Sequence, residues 1–161
     1  MRLNLGSNDR RIDGFLSVDM APPADVICDL SQTPWPWPDS SADEIAAFDV
    51  VEHLPSRIVT MNECWRILKP GGRLHITTPN AAKGGGYFQD PTHITPWTIN
   101  SFKYFAAETA EHRRFAGHYG ISAKFQVVAL TETNYQDGPV APGAALPDPV
   151  YKLEVILEAV K

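Results

Sequence analysis

Cysteine is scarce in this chain: Cys28 and Cys64 are the only two among 161 residues. Both lie in apolar surroundings and their spacing suits no zinc motif, so reduced buried thiols are expected rather than a bridge. No apolar run is long enough to span a bilayer. Met1-Arg2-Leu3-Asn4-Leu5-Gly6 lacks the long apolar stretch of a secretory signal and reads as the start of a strand, which predicts a cytosolic protein with no membrane association. Positive charge is also in deficit, with 14 Lys and Arg against 19 Asp and Glu and a formal net charge of −5. Arg10-Arg11 and Arg113-Arg114 are only pairs, so the basic stripe of a general nucleic-acid binder is missing. Two phosphate-cradling motifs are missing as well. Gly6 is followed by Ser7, Asn8 and Asp9 rather than by G-x-G-x-x-G, and Gly84-Gly85-Gly86 runs into Tyr87-Phe88 rather than into Lys and Ser or Thr.

What is present is an ordinary globular balance, 43% hydrophobic and 20% charged, sized for one domain over residues 1–161. Short apolar runs at Leu3 to Leu5, Phe15 to Asp19, Asp25 to Asp29 and Glu44 to Phe48 read as four strands. Few residues separate the first three, so the first crossover holds a helical turn or two at most. Thr33-Pro34-Trp35-Pro36-Trp37-Pro38 is a rigid loop, because proline fixes the backbone and removes donors. Pro55 starts a helix with Ile58, Met61, Trp65 and Leu68 on one face, stopped by Pro70-Gly71-Gly72. Arg73 to Thr78 is a fifth strand, Asn80 to Pro96 a long loop, and Thr98 to Glu111 a helix. Lys124 to Leu130 and Tyr151 to Val160 read as an antiparallel hairpin at one edge, joined by a polar segment rich in proline and glycine. Strands alternating with helices argue for an open, mostly parallel sheet, with ligands bound beyond the carboxyl ends of its strands.

Three strand tips then form one arrangement. Gly6 lets a ligand approach the backbone, and Asn8 tolerates the left-handed conformation of a tight loop. Asp19 at the next tip can accept both ribose hydroxyls. Asp29 at the third can accept an adenine amino group, with the backbone of Leu30 beside it. A glycine turn followed by acids at successive strand ends is the logic of a nucleoside site. With phosphate cradles missing, a nucleoside bearing a cationic sulfonium suits the acidic surroundings.

These residues sit in segments that resemble class I methyltransferases dependent on S-adenosylmethionine (SAM). Leu3-Asn4-Leu5-Gly6-Ser7-Asn8 looks like their first motif, with Asn4 where an acid is usual and Asn8 where a second glycine is usual. Trp35 to Ile45 resembles their proline-aromatic loop running into strand four. Val50-Val51-Glu52-His53-Leu54 matches the segment after it. Arg66-Ile67-Leu68-Lys69-Pro70-Gly71-Gly72-Arg73-Leu74 matches the junction into strand five, and Asp90-Pro91-Thr92-His93 with Trp97-Thr98 and Ser101-Phe102 resembles small bacterial members. The resemblance implies an α/β fold: a Rossmann-like, seven-stranded, mostly parallel sheet with an antiparallel edge strand and without a full N-terminal cap helix. It implies SAM as cofactor, held by Asn4, Gly6, Ser7, Asn8, Asp19, Met20, Asp29, Leu30 and Asp49, and methyl transfer to an O, N or C nucleophile of a small molecule or sugar. A SAM- or nucleoside-binding module without catalysis, supporting a partner, is the alternative.

Asp49, His53 and His93 are the candidate catalytic groups. Each has a plainer reading, as a solvated strand-end acid, a helix-start histidine bonded to backbone, and a loop histidine. Asp90 and His93 alone are too few for a metal. Trp35 and Trp37 either flank the cofactor by stacking or close the edge of the core. Trp65 reads as core, and His75, His112 and His118 are assigned no role, the last two reading as exposed. Asn80 to Pro96 is expected to act as a lid over the site.

Overall fold

The computed structural model describes residues 1–135 and 150–161. Seven strands form one sheet: β1 (Arg2–Leu5), β2 (Leu16–Asp19), β3 (Val26–Ile27), β4 (Ala42–Phe48), β5 (Leu68–Pro79), β6 (Phe125–Tyr135) and β7 (Val150–Ala159). Their spatial order is β3-β2-β1-β4-β5-β7-β6. The first five pair in parallel, and β7 runs antiparallel to both β5 and β6. The expected sheet is therefore found, with the reversed strand inserted beside β5 and its hairpin partner β6 outermost. Residues 136–149 of the polar joining segment lie outside the described residues.

The first crossovers carry no helix at all. Residues 6–15 join β1 to β2, and residues 20–25 join β2 to β3. Side chains take over the bracing. Buried Asn4 donates to the Arg10 carbonyl at 2.8 Å. Asp25 accepts from the N–H and hydroxyl of Ser17, which hold its carboxyl down at about 2 together with Arg11.

The helices are α1 (Arg57–Ile67), the single turn α2 (Gly86–Gln89) and α3 (Ala110–Tyr119), with 3₁₀ turns at Val51–His53 and Ile99–Tyr104. Ser56, not Pro55, caps α1, its hydroxyl accepting from the Val59 N–H. The helix ends at Ile67, and Pro70-Gly71-Gly72 falls inside β5 instead of in a terminating turn. The β4–β5 register shifts there, between Ala42 and Glu44, and Gly71 takes φ +74, so the glycine is absorbed as an irregularity of the strand. The expected helix over Thr98 to Glu111 is broken. Edge strand β6 captures its middle, with Phe125 donating to Phe105 and accepting from Ala107, and Thr109 caps a new helix through the His112 N–H. His112 is consequently buried, donating to the Tyr104 carbonyl through Nδ1, not exposed as expected. A carbonyl only accepts, so Nδ1 is the donor.

Helix α1 and the 3₁₀ turn Ile99–Tyr104 pack on one face of the sheet. Leu3, Leu5, Val18, Ile45, Ala47, Leu74, Ile76, Leu153, Val155 and Leu157 bury themselves there against Met61, Cys64 and Ile67 of α1 and against Trp97, Phe102 and Phe105. Trp35 and Trp37 belong to this core, the Trp35 indole N–H donating to the Leu30 carbonyl, so they close the core edge. Trp65 is only partly buried, its indole N–H donating to the Val160 carbonyl. Cys28 and Cys64 are unpaired thiols, and burial pushes that of Cys64 far up. The opposite face is polar, with Arg73, His75, Thr77, Glu154 and Glu158 alternating with the buried set. Among the described residues no helix is long and apolar enough to cross a membrane.

The loop of tryptophans is clamped by Glu63. One carboxylate oxygen accepts from the Trp35 N–H at 2.7 Å, and both accept from Arg66, which also reaches the carbonyls of Trp35 and Trp37. Arg66 holds the Glu63 carboxyl below its ordinary value, so this stabilisation is present above the ordinary carboxylate range and fades as pH falls through it. Glu63→Ala strands a buried N–H and a guanidinium, and should cost about 2–4 kcal/mol in urea unfolding at neutral pH. A loss of a few tenths, or one that is undiminished in acid, contradicts the clamp.

Candidate functional site

Strand order reverses at β1, whose neighbours β2 and β4 lead the chain in opposite directions. The two strand ends part there and leave a crevice. A cavity of about 190 Å³ occupies it, lined by Asn4, Gly6, Ser7, Asn8, Asp9, Arg10, Phe48 and Asp49. A second cavity, of about 540 Å³, continues over the polar face of the sheet and shares Arg10, Phe48 and Asp49 with the first.

The crevice concentrates unusual backbone. Gly6, Asn8 and Asp49 have φ of 59°, 47° and 55°, a region that costs a residue bearing a side chain on the order of 1 kcal/mol or more and clusters at functional sites. Asn8 adopts the left-handed conformation that its residue type predicts. At Gly6 the reason for glycine is more specific than access for a ligand: a Cβ there would stand 2.4 Å from Cγ2 of buried Val50. Glycine lets the turns after β1 and β4 pack together. Beside it the Ser7 hydroxyl is buried without a hydrogen-bond partner.

Asp19 ends β2 facing the same turn, one carboxylate oxygen accepting from the Asn8 N–H at 2.8 Å. Met20 beyond it is 72% exposed. Asp29 accepts from both the N–H and hydroxyl of Ser31, which lower its pKa. The Leu30 side chain is buried in the core, which leaves only its backbone for a ligand. Asp49 follows β4, accepting from the Thr77 hydroxyl at 3.2 Å and from Lys152 at 2.8 Å.

Past β4 stands a second cluster. Glu52 is wholly buried; its carbonyl accepts from the N–H groups of Ile94 and Thr95, and its carboxylate from the Thr78 hydroxyl. Burial, reinforced by the charge of Asp49, raises its pKa to about 7. Its other oxygen, Oε1, has no hydrogen-bond partner and faces His93 Nε2 at 4.0 Å. His53 meets His93 edge to face, with ring centroids 4.8 Å apart, and Asp90 Oδ2 lies 3.9 Å from His93 Nε2. The structure thus gathers His53, His93 and Asp90 around an acid that sequence reasoning passed over. The signal was an acid set among the apolar residues of Val50-Val51-Glu52-His53-Leu54.

The Asn80 to Pro96 segment lies docked on this cluster. Besides the two bonds to Glu52, Ala81 donates to Trp97, and Asn80 and Lys83 both reach Glu132. Another cavity, about 600 Å³, lies away from the crevice between α1, the 3₁₀ turn and α3. Its one charged lining residue, Arg57, is engaged by the Pro96 carbonyl and the Ser101 hydroxyl.

Residues 15–76 match the family described as "Methyltransferase domain". A protein of Mycolicibacterium smegmatis described as "Probable S-adenosylmethionine-dependent methyltransferase" is 44% identical over 45 residues, which are 28% of this chain and 18% of that protein. A ubiquinone biosynthesis O-methyltransferase of Xylella fastidiosa is 28% identical over 136 residues, covering 72% of this chain and 52% of that protein. The chain therefore spans no more than about half the length of these curated relatives. Among solved structures, the methyltransferase in a complex with the Haloferax volcanii Trm112 methyltransferase activator superposes with a TM-score of 0.67 at 15% identity, covering 99% of this chain and 82% of that one; this likeness concerns the fold.

Gly6→Ala should lower unfolding free energy by about 1–3 kcal/mol, through strain at positive φ and displacement of Val50. Asn8→Gly, which keeps the conformation, should leave it nearly unchanged. Thermal unfolding of both variants is the check, and an unaffected Gly6→Ala protein contradicts the packing of the two turns.

Proposed function

We propose that the chain is a class I SAM-dependent methyltransferase, a reading supported by the methyltransferase-domain match over residues 15–76 and the relatives named above, and that it transfers the methyl group of SAM to an O, N or C nucleophile of a small molecule or sugar. The observation that carries the reading is the crevice between β1 and β4, where the glycine turn, the left-handed Asn8 and the unpartnered Ser7 hydroxyl meet in front of Asp19 and Asp49. These groups fit the cofactor. Ser7 offers an unused polar atom, and Asp19 and Asp29 offer acceptors at successive tips. The small cavity has room for the amino-acid end, and the adenosine lies across the tips of β2 and β3.

In this reading the backbone of Gly6, Ser7 and Asn8 follows the cofactor's amino-acid end, and Asn4 braces that loop from beneath. Asp19 accepts the ribose hydroxyls, with Met20 against the sugar. Asp29 takes the adenine amine and the Leu30 N–H a ring nitrogen. The bound cofactor supplies a methyl group on a sulfonium that is already a good leaving group. The chain has to align nucleophile, methyl carbon and sulfur and accept a proton where the nucleophile carries one. Asp49, with its carboxylate engaged by Thr77 and Lys152, is an electrostatic neighbour of the reacting centre rather than the base. His53 and His93 form the acceptor side, and the docked 80–96 segment excludes water from it.

A second reading is a SAM-binding module that supports a partner. The polar face of β5 and β7, open to a cavity of about 540 Å³, favours it, as does the fold likeness to a methyltransferase in a complex with an activator protein. Calorimetry with SAM and its demethylated product, followed by a metabolite screen for SAM-dependent methylation, separates the two. Binding and turnover support the enzyme; binding without turnover across the screen supports the module.

Asp19→Ala should weaken SAM binding by about 1–3 kcal/mol, the range for losing a charged hydrogen bond, as read by calorimetry. An analogue without the adenine amine should bind more weakly than SAM to the wild type and equally to Asp29→Ala. Unchanged affinity of Asp19→Ala removes the ribose assignment.

A further inference from the structure

The Glu52, His53 and His93 side chains are each oriented by an outer hydrogen bond that leaves one ligand atom bare. His93 Nδ1 lies 2.7 Å from the Tyr87 carbonyl, which can only accept, so Nδ1 carries the proton and a neutral ring presents the lone pair of Nε2. The Thr92 hydroxyl donates to Asp90 at 2.6 Å, so its 3.0 Å contact with His53 Nδ1 has the imidazole N–H as donor and again frees Nε2. Thr78 occupies Glu52 Oε2 and leaves Oε1 unpartnered, in a side chain only 1% exposed. One ligand atom from each of the three residues lies within 4.8 Å of the others.

Two bare acceptors, Glu52 Oε1 and His93 Nε2, therefore face each other across 4.0 Å inside the protein. A shared proton would draw them to hydrogen-bond distance, about 2.8 Å. An ion about 2.1 Å from each donor holds tetrahedral neighbours about 3.4 Å apart, so the 4.0 Å pair closes slightly and the wider pairs, within 4.8 Å, close further by side-chain rotation. Imidazoles whose second nitrogen donates to an oxygen are the usual form of metal-bound histidine. We propose that Glu52, His53 and His93 bind one divalent first-row transition ion of the zinc class, with Asp90 beside it. Three protein ligands leave a coordination position open. On the methyl-transfer reading, that position would take an acceptor oxygen and ease loss of its proton; ion binding itself does not depend on that reading.

The test uses the full chain after chelator treatment, with Co²⁺ and Zn²⁺ as probes. Co²⁺ should bind at one equivalent with visible d–d absorption of a low-coordinate site, and Zn²⁺ should displace it. His53→Ala and His93→Ala should each weaken Zn²⁺ binding roughly 100-fold or more, and Thr78→Val, which frees the Glu52 carboxylate, about 10-fold. His118→Ala, on the exposed side of α3, should leave affinity unchanged. Circular dichroism confirms that each variant is folded, and half-buried His53 is the position least exposed to misfolding. Weak Co²⁺ binding without the low-coordinate spectrum, or Zn²⁺ affinity equal in wild type, His53→Ala and His93→Ala, overturns the proposal. SAM affinity measured on the same samples keeps the two readings apart, because the cofactor crevice shares none of these three residues.

Discussion

The lengths of the first two crossovers constrain the rest of the molecule. Residues 6–15 and 20–25 are too short to carry helices back along the sheet. Residues 28–41, held irregular by their prolines, carry no helix either, so among the described residues the helices all come from the chain after β4, and α1 packs on the apolar face. The sheet then has one apolar and one polar face, which is why β5 and β7 alternate so regularly. It is also why the crevice between β1 and β4 opens into a wide cavity over the polar face instead of being roofed by a helix. The price of short crossovers is paid in side-chain bonds: Asn4 to the Arg10 carbonyl, Ser17 with Asp25, and Asp19 with the Asn8 N–H.

β4 divides the functional chemistry into two halves. On the β1 side, Gly6 and Val50 interlock and shape the small cavity. On the far side, Glu52 goes into the protein rather than into solvent. Its carbonyl fastens the end of the 80–96 segment and its carboxylate sits between the tip of β5 and His93. The segment expected to cover the site thus begins from a docked position, with its anchor at Glu52, three residues beyond Asp49.

Much of this was legible in the residues because local chemistry dictates it. The strand tips, the left-handed Asn8 and the glycine at Gly6 follow from residue type and periodicity, and the reversed hairpin follows from two strand-like runs with no helix between them. The misreadings share a different cause, long-range pairing. Pro70-Gly71-Gly72 looks like a helix stop until β4 pulls it into a strand. Thr98 to Glu111 looks like one helix until β6 binds its middle. Trp35 and Trp37, for which stacking on a ligand and closing the core edge were both open, take the second role, with Glu63 and Arg66 holding their loop. Glu52 escaped notice because sequence shows that it neighbours His53, but not that a loop forty residues on returns to set His93 against its carboxylate.

The central claim is that the β1–β4 crevice is where the cofactor binds. Backbone amide shifts followed by NMR during titration with the demethylated cofactor test it most directly. The account predicts saturable shifts at Gly6 to Asn8, Asp19 to Met20, Asp29 to Leu30 and Asp49 to Val50, with the amides lining the cavity between α1 and α3 unmoved. Saturable shifts confined to that helical cavity, or none at any strand tip, would contradict it.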